Sequence, residues 1–310
     1  ISECFEELTP HIFAIETGVS SDPPMNWRVE ALDSIALVSH SDIHSLPNLA
    51  REANVLEGEE KDLSYVSIMD AIKKAAPVKR SSLGVSPQTT RLGSPSDLAG
   101  RNRSSALVPL RGTPARAESA VLFLGDTPRS SPSPHPSLTM LGTIEFFPDE
   151  GRYHFDGHRD CKVSLHPSET KKLGGRCPKC KKPVTVGVLA RVEALANHPE
   201  GRVPQGAPQF WSLVELDKII AQAEGVKSRT SKAVDKQYWE LVAKGGNELN
   251  ILLNKSLEEL ATLTTPRIVE AIRRMRAKKL SIAPGYDGEY GHVTIFKKDE
   301  QQGTKQKALF

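Results

Sequence analysis

The feature that most constrains how this chain can fold is the spacing of three cysteines and one histidine. His158 and Cys161 are separated by two residues, as are Cys177 and Cys180, and fifteen residues lie between the two pairs. Two such pairs can supply three sulfur atoms and one nitrogen, the tetrahedral donor set that structural Zn²⁺ prefers. Because four protein ligands leave no open coordination position, we predict a structural zinc site and not a catalytic one.

The nitrogen ligand has alternatives, since His154 and His166 lie close by in the sequence. We favour His158 because HxxC mirrors the CxxC pair. The competing interpretation is a set of unpaired cysteines beside a surface histidine. Three of the four cysteines fall in this one window, which favours a metal site in a reducing compartment over a disulfide framework. We therefore expect a cytoplasmic protein.

Composition and charge limit the remaining classes. A chain of 310 residues can hold two or three small domains. Its net charge of +3 is too small by itself to indicate a polyanionic partner. No apolar run reaches the roughly 18 residues that a membrane span needs, so we expect no membrane partner. The start at Ile1 has neither a signal-peptide pattern nor an initiator Met, so we expect it to lie within a larger protein.

Residue patterns divide the chain into four segments. Residues 1–76 are typical of an α/β fold, and residues 141–198 contain the predicted zinc ligands. Residues 199–310 are mostly helical in pattern. Residues 77–140 are rich in Ser, Pro, Arg and Gly without a sustained period, which predicts a disordered low-complexity insertion. The predicted fold class is α/β, with a small zinc-binding domain and a helical C-terminal domain.

Hydrophobic periodicity predicts individual elements within these segments. Residues 184–196 are expected to pass from a strand into a helix. Other strands are predicted at 11–16, 35–38, 143–147 and 290–296. Helices are predicted at 63–74, 214–223, 232–243, 257–262 and 266–279.

An aspartate and a histidine, Asp42 and His44, follow the predicted strand 35–38. Functional loops of α/β folds lie at the carboxyl ends of strands, and this pair of residues can bind one hydrolytic metal ion together. A DxH triplet is also typical of a plain turn with an N-capping Asp. His40 could join such a site or could be exposed.

The predicted helix 266–279 is strongly basic, and Glu270 is its one acidic residue. Such a helix can neutralise DNA phosphates, although a charge run is also typical of a solvated helix face. Two tyrosines further on, Tyr286 and Tyr290, could stack on an exposed base or pack against the helices. The candidate cations are Arg267, Arg273, Arg274, Arg276, Lys278 and Lys279.

Several ordered motifs cover both ends of the chain but not residues 77–140. They are 13–28 (FAIETGVSSDPPMNWR), 41–44 (SDIH), 51–55 (REANV), 143–161 (TIEFFPDEGRYHFDGHRDC), 177–180 (CPKC) and 284–291 (PGYDGEYG). Together these motifs resemble the endonuclease Q family of archaea and bacteria.

The resemblance implies an endonuclease that nicks DNA 5′ to deaminated bases or abasic sites. It implies that residues 1–76 are the C-terminal part of a polymerase-and-histidinol-phosphatase (PHP) barrel, followed by a zinc domain and a helical DNA-binding domain. On this basis Asp42 and His44 are the last pair of catalytic metal ligands, for Zn²⁺, Mg²⁺ or Mn²⁺. Glu16 lines the same site. Damaged DNA is the implied partner, and a sliding clamp is a further candidate.

Two departures from the family pattern change these expectations. The family's earlier metal ligands, an HxH motif with further His and Glu residues, would precede Ile1. Residues 77–140 stand where a short link is expected, as an insertion or as an error in the gene model. Since Asp42 and His44 alone are too few to hold two or three metal ions, we expect this chain to be catalytically incomplete.

Other functions compete with an endonuclease. A non-catalytic DNA-binding zinc module would need no hydrolase site. A helicase subunit is excluded for this chain because no GxxxxGK[ST] phosphate loop occurs in it. A PHP phosphoesterase for small molecules is disfavoured, because a small substrate needs neither a zinc module nor a basic helix.

Overall fold

A computed structural model describes residues 1–40, 49–77, 121–123, 138–297 and 300. Asp42 and His44 therefore lie outside the described residues, as does most of the segment 77–140. For the strand at 121–123 only the backbone is considered.

The N-terminal part contains a parallel pair of short strands, β1 (Ala14–Glu16) and β2 (Ala36–Val38). Both predicted strands are confirmed, but β1 begins later than predicted because a 3-10 helix occupies Glu6–His11. The described residues show this pair and no closed barrel, so a PHP-type barrel remains a prediction. The other elements here are α1 (Ser2–Phe5), α2 (Pro23–Asn26) and a 3-10 turn at Glu30–Leu32.

A four-stranded sheet joins distant parts of the chain. Its strand order is β4 (Val121–Phe123), β3 (Ala53–Glu57), β5 (Thr139–Glu145) and β8 (Gln209–Ser212). The β3–β5 pair is antiparallel, and the two outer pairs are parallel. The sheet thus unites strands from segments that the sequence assigns to separate domains. Strand β4 lies in the apolar run inside 77–140, and the low-complexity insertion remains a prediction.

A small α/β module follows β5 and carries the four Cys and His residues. Its antiparallel hairpin consists of β6 (Asp156–His158) and β7 (Val163–Leu165). The strand predicted from residue 184 is reduced to single bridges, such as Gly157 with Thr185. The helices and turns are α4 (Pro167–Lys172), α5 (Val188–Leu195) and 3-10 turns at Pro148–Glu150 and Arg159–Cys161.

The predicted helices form, each close to its expected bounds. Serine or threonine side chains cap several N-termini, as Thr265 caps α9 by accepting a bond from Ile268 N. Helix α9 ends before Lys278 because that residue has left-handed backbone angles. The elements are α3 (Tyr65–Lys74), α6 (Leu216–Ala223), α7 (Lys232–Gly245), a π-helical turn (Asn250–Asn254), α8 (Leu257–Leu263), α9 (Pro266–Arg276), β9 (Ser281–Ala283) and β10 (His292–Thr294), with a 3-10 turn at Glu60–Asp62.

One large apolar core lies between the four-stranded sheet and the C-terminal helices. Ile144 of β5 and Ile219 of α6 are fully buried in it, together with Ile272 of α9. Gly142 sits where a Cβ atom would overlap the carbonyl of Gln209, so only glycine lets β8 approach β5. Among the described residues, no helix is both long and apolar enough to cross a bilayer.

Candidate functional site

The structure brings together the four predicted ligands. One ligand atom from each of His158, Cys161, Cys177 and Cys180 lies within 4.8 Å of the others, and Cys180 Sγ is 3.7 Å from His158 Nδ1. Ligands on a tetrahedral ion with bonds of about 2.0–2.3 Å lie on the order of 3.6 Å apart. These four residues, the Cys/His tetrad, can therefore hold a metal ion.

The two alternative histidines are used elsewhere. His154 is buried, stacks on Phe155 and lies 3.6 Å from Asp149. His166 is the N-cap of α4 and accepts a hydrogen bond from Ser168 N. Neither joins the tetrad.

Each pair of ligands sits on a tight turn that ends in a left-handed lysine. Lys162 follows Cys161 with φ +51°, and Lys181 follows Cys180 with φ +64°. Such angles are uncommon outside glycine, and here they reverse the chain directly after the second ligand. Lys179 Nζ donates to the Cys161 carbonyl at 2.7 Å and so ties the two turns together.

Electrostatics at the tetrad favours a bound cation. Burial disfavours the Cys177 thiolate, but backbone N–H groups of Cys180 and Lys179 lower its pKa overall. Hydrogen bonding to Cys180, followed by burial, raises the pKa of Cys161 to about 11. Three sulfur atoms this close cannot all ionise unless a positive charge compensates them.

A C-terminal loop, residues 284–291, docks on the first turn of the tetrad. Asp287 accepts a hydrogen bond from Arg159 N at 2.6 Å and another from Thr185 Oγ1 at 2.6 Å. Tyr286 packs where a Cβ on Gly157 would overlap its ring. Tyr286 therefore packs on strand β6, whereas the predicted packing partner was the helices.

Tyr290 of the same loop differs, because its side chain is 65% exposed. The Arg152 guanidinium lies 5.0 Å from the centre of its ring. Both residues line a cavity of about 740 Å³ whose walls also include Phe147 and Tyr153.

Three of the six candidate DNA-binding cations are engaged inside the protein. Arg267 lies over the Phe296 ring at 4.2 Å and donates to the Glu300 carbonyl. Arg274 is paired with Glu270 and Glu300. Arg276 donates to the carbonyls of Ile251 and Leu252. These contacts hold the C-terminal segment and the π-helical turn against α9.

The other three cations are more exposed. Arg273 pairs with Glu270 on the helix surface. Lys278 lies over the Phe210 ring at 4.1 Å, and burial lowers its pKa. Lys279 is exposed. The basic face of α9 is thus smaller than the sequence suggests.

A second chemical feature is a group of carboxylates at the strand ends, formed by Glu16, Glu52 and Glu145. Glu16 ends β1, Glu145 ends β5, and Glu52 directly precedes β3. Glu145 Oε2 accepts hydrogen bonds from Thr17 Oγ1 at 2.9 Å and from Ser39 Oγ at 3.2 Å. We call Glu16, Glu52 and Glu145 the strand-end carboxylates.

Two of these carboxylates are deeply buried, with Glu52 5% and Glu145 1% exposed. Burial, reinforced by the charges of Glu145 and Glu16, raises the pKa of Glu52 to about 8. Burial also raises the pKa of Glu145 to about 7, although its hydroxyl hydrogen bonds oppose the rise. Strongly perturbed carboxylates are typical of functional sites.

Sequence reasoning named Glu16 but missed Glu52 and Glu145. An acid inside the apolar strand 143–147 was the available signal for Glu145. Asp42 and His44 lie three and five residues after Ser39 in the chain, and the Ser39 hydroxyl donates a hydrogen bond to Glu145. The proposed metal ligands thus continue from the strand end that holds these carboxylates.

Comparison with protein families and curated proteins gives uncharacterised relatives. Residues 215–279 match the family described as the MJ0043 C-terminal domain. The uncharacterised protein MJ0043 of Methanocaldococcus jannaschii is 34% identical over 150 residues, which are 48% of this chain and 18% of that protein. The uncharacterised protein YqxK of Bacillus subtilis is 22% identical over 283 residues, 91% of this chain and 52% of that protein. The chain thus spans about half or less of either relative.

Comparison with solved structures shows a shared fold. The lesion-specific endonuclease PfuEndoQ of Pyrococcus furiosus matches with a TM-score of 0.65 and 23% identity, over 94% of this chain and 57% of that one. Endonuclease Q in complex with a 27-mer duplex bearing an abasic lesion matches with a TM-score of 0.62 and 23% identity, over 96% and 59%. The resemblance to endonuclease Q is confirmed at the level of the fold.

We expect the purified chain to bind one zinc ion and Cys177→Ser to lose it, because three remaining ligands close the site poorly. Elemental analysis should show zinc falling from about one ion per chain towards zero, and cobalt-substituted protein should lose thiolate absorption. The exposed Cys4 provides the matched control, Cys4→Ser. Full zinc content in Cys177→Ser contradicts the assignment, and zinc loss without local unfolding contradicts a structural role.

The pKa of Glu52 predicts a pH-dependent stability. The folded state keeps a proton up to about pH 8, whereas an unfolded Glu loses it near pH 4.3. The free energy of unfolding should therefore fall as pH rises from about 5 to about 8, by on the order of a few kcal/mol. Glu52→Gln should flatten this dependence in urea titrations with zinc present and no other metal added. Glu57→Gln, at the far end of β3, serves as control, and equal pH slopes in Glu52→Gln and the parent would refute the prediction.

Proposed function

We propose that the protein is a DNA repair endonuclease that cleaves the phosphodiester bond 5′ to deaminated bases or abasic sites by metal-dependent hydrolysis. The observation that carries the proposal is the fold shared over 94% of this chain with a lesion-specific endonuclease. A second matching structure holds a duplex with an abasic lesion at the active site. Because the chain spans 57% of the first of these, the activity is proposed for the whole protein.

Two different kinds of metal chemistry support this function. The Cys/His tetrad has three sulfur ligands and one nitrogen ligand, which fits a structural Zn²⁺. The proposed catalytic ligands, Asp42 and His44, follow β2 in the chain, and Ser39, which directly follows β2, donates a hydrogen bond to Glu145. A metal ion there, Zn²⁺, Mg²⁺ or Mn²⁺, supplies Lewis acidity and an activated water when bound. We assign Glu16 to the lining of this site.

The division of labour along the chain is part of the proposal. Residues 1–76 provide the C-terminal part of a PHP hydrolase domain, 141–198 a zinc domain and 199–310 a helical DNA-binding domain, with 77–140 as an insertion. The shared sheet and core join these parts into one framework. A framework of this kind can fix the position of DNA relative to the metal ligands.

We propose that the exposed basic and aromatic side chains contact DNA, since those engaged internally are unavailable. The exposed set is Arg273, Lys278, Lys279 and Tyr290. We assign a mainly packing role to four of the predicted DNA-binding residues, on the basis of their internal contacts: Arg267, Arg274, Arg276 and Tyr286. No observation on the described residues supports a sliding clamp, so we do not propose one.

A nicking assay tests the function with the product of the complete open reading frame that contains this chain. Labelled duplexes with one uracil, one hypoxanthine, one abasic site or no lesion are incubated with Mg²⁺ or Mn²⁺. We expect nicks 5′ to each lesion and none in the intact duplex. Asp42→Asn should lower the rate by more than the roughly 100-fold that loss of an outer-shell partner costs, because it removes a direct ligand.

The matched control is Asp70→Asn, on the exposed surface of α3, which should nick at the parental rate. Binding is measured in parallel by fluorescence anisotropy at several salt concentrations. Lesion binding without any nicking would contradict the endonuclease proposal and favour a non-catalytic DNA-binding zinc module.

A further inference from the structure

Two buried carboxylates face each other across the β3–β5 ladder. The register pairs Ala53 with Ile144, so the next residues outward, Glu52 and Glu145, are opposite neighbours. Such neighbours have Cβ atoms about 4.5–5.5 Å apart, and like charges at this spacing are destabilising. Glu16 adds a third negative charge that acts on Glu52.

Part of this pair has no hydrogen-bond partner. Neither oxygen of Glu52 is bonded within the described part of the chain, and Oε1 of Glu145 is likewise free there. The Thr17 and Ser39 hydroxyls hold only Oε2 of Glu145. Buried polar groups are normally paired, and a buried charge without a partner is costly.

Two other carboxylates with little exposure are paired with cations. Glu215, 4% exposed, is paired with Lys218 and Arg229. Glu248 is paired with Arg51, which adjoins Glu52 in sequence. In the described residues, no such ion pair is formed by Glu52 or Glu145. The strand end therefore presents unneutralised oxygen donors.

We propose that Glu52 and Glu145 bind a hard divalent cation, Mg²⁺ or Mn²⁺, with Glu16 at the rim of the site. Carboxylate oxygens are the ligands that these ions prefer, whereas sulfur and imidazole favour zinc. The cation neutralises the facing charges and occupies the free lone pairs. The site rests on described residues alone, and it goes beyond the proposed function because it does not depend on DNA cleavage.

Manganese binding tests the site in the full chain, with the Cys/His tetrad filled by one equivalent of zinc. The parent for this experiment is the double variant Asp42→Asn/His44→Gln, which lacks the proposed catalytic ligands and is called the background. Free Mn²⁺ is measured by electron paramagnetic resonance. We expect one Mn²⁺ to bind this background. Glu52→Gln or Glu145→Gln added to it should weaken binding at least about tenfold, a loss of the size seen when metal-site residues are removed. Glu57→Gln should leave binding unchanged.

Thermal melting distinguishes cation binding by Glu52 from a purely structural role of this residue. Mn²⁺ should raise the melting temperature of the background protein but not that of Glu52→Gln. Without Mn²⁺, Glu52→Gln should melt no lower than its parent, because the amide is a neutral group of nearly the same size as the protonated carboxyl. Glu52→Asp retains a carboxylate and should retain part of the Mn²⁺ effect.

Two results would overturn the proposal. Parental Mn²⁺ affinity in both Glu52→Gln and Glu145→Gln would show that the pair holds a shared proton and no metal. Absence of Mn²⁺ binding in the Asp42→Asn/His44→Gln background would show that the ion belongs to those two residues. The second result would leave the proposed endonuclease intact, whereas failure of the nicking assay would leave this site untouched.

Discussion

The convergence of the Cys/His tetrad is the interaction on which the small module around it and the docked loop 284–291 depend. The apolar cluster beneath it contains Val163, Leu165, Cys177 and Val184 as its buried members, too few to offset the entropy of ordering the module. A metal ion bound at the tetrad would supply the missing stabilisation. The turn that it closes presents Arg159 N to Asp287. This bond docks the loop that carries Tyr290, together with backbone bonds such as that from Phe155 N to the Gly285 carbonyl. The tetrad thus contributes to the placement of Tyr290, one of the proposed DNA contacts.

The strand-end carboxylates differ from the tetrad in the type of ligand atom that they offer. Sulfur and nitrogen close the tetrad around one ion, whereas the strand-end carboxylates offer oxygen atoms with free lone pairs. The two facing acids, Glu52 and Glu145, lie on the sheet that also forms the main core, so their positions are set by strands that packing holds rigid. A rigid frame favours metal binding, because the ligands need little ordering when the ion arrives. Ligand type and place in the fold therefore distinguish the proposed zinc site from the proposed Mg²⁺ or Mn²⁺ site.

Local sequence patterns predicted most of the helices and the metal ligands. The features that they did not predict depend mainly on pairing between residues that are distant in sequence. The apolar periodicity of the sequence predicted helices α6 to α9. The spacing of the Cys and His residues predicted the tetrad, and the four side chains do lie together. The sheet order could not be predicted, because β3, β5 and β8 are distant in sequence and pair only in three dimensions. Glu52 escaped notice for the same reason, since its partner Glu145 lies 93 residues away. The sequence predicted that Arg276 contacts DNA phosphate, whereas in the fold its guanidinium donates to carbonyls of the π-helical turn.

Amide hydrogen exchange with and without zinc tests most directly whether the tetrad fixes the docked loop. On removal of zinc by a chelator, exchange should accelerate in residues 156–165 and, to a comparable extent, in residues 284–291, while helix α7 (Lys232–Gly245) stays protected. Such a result would show that the metal site holds the C-terminal loop through Asp287. Unchanged protection of 284–291 after zinc removal would contradict the account, because the loop would then be held without the metal.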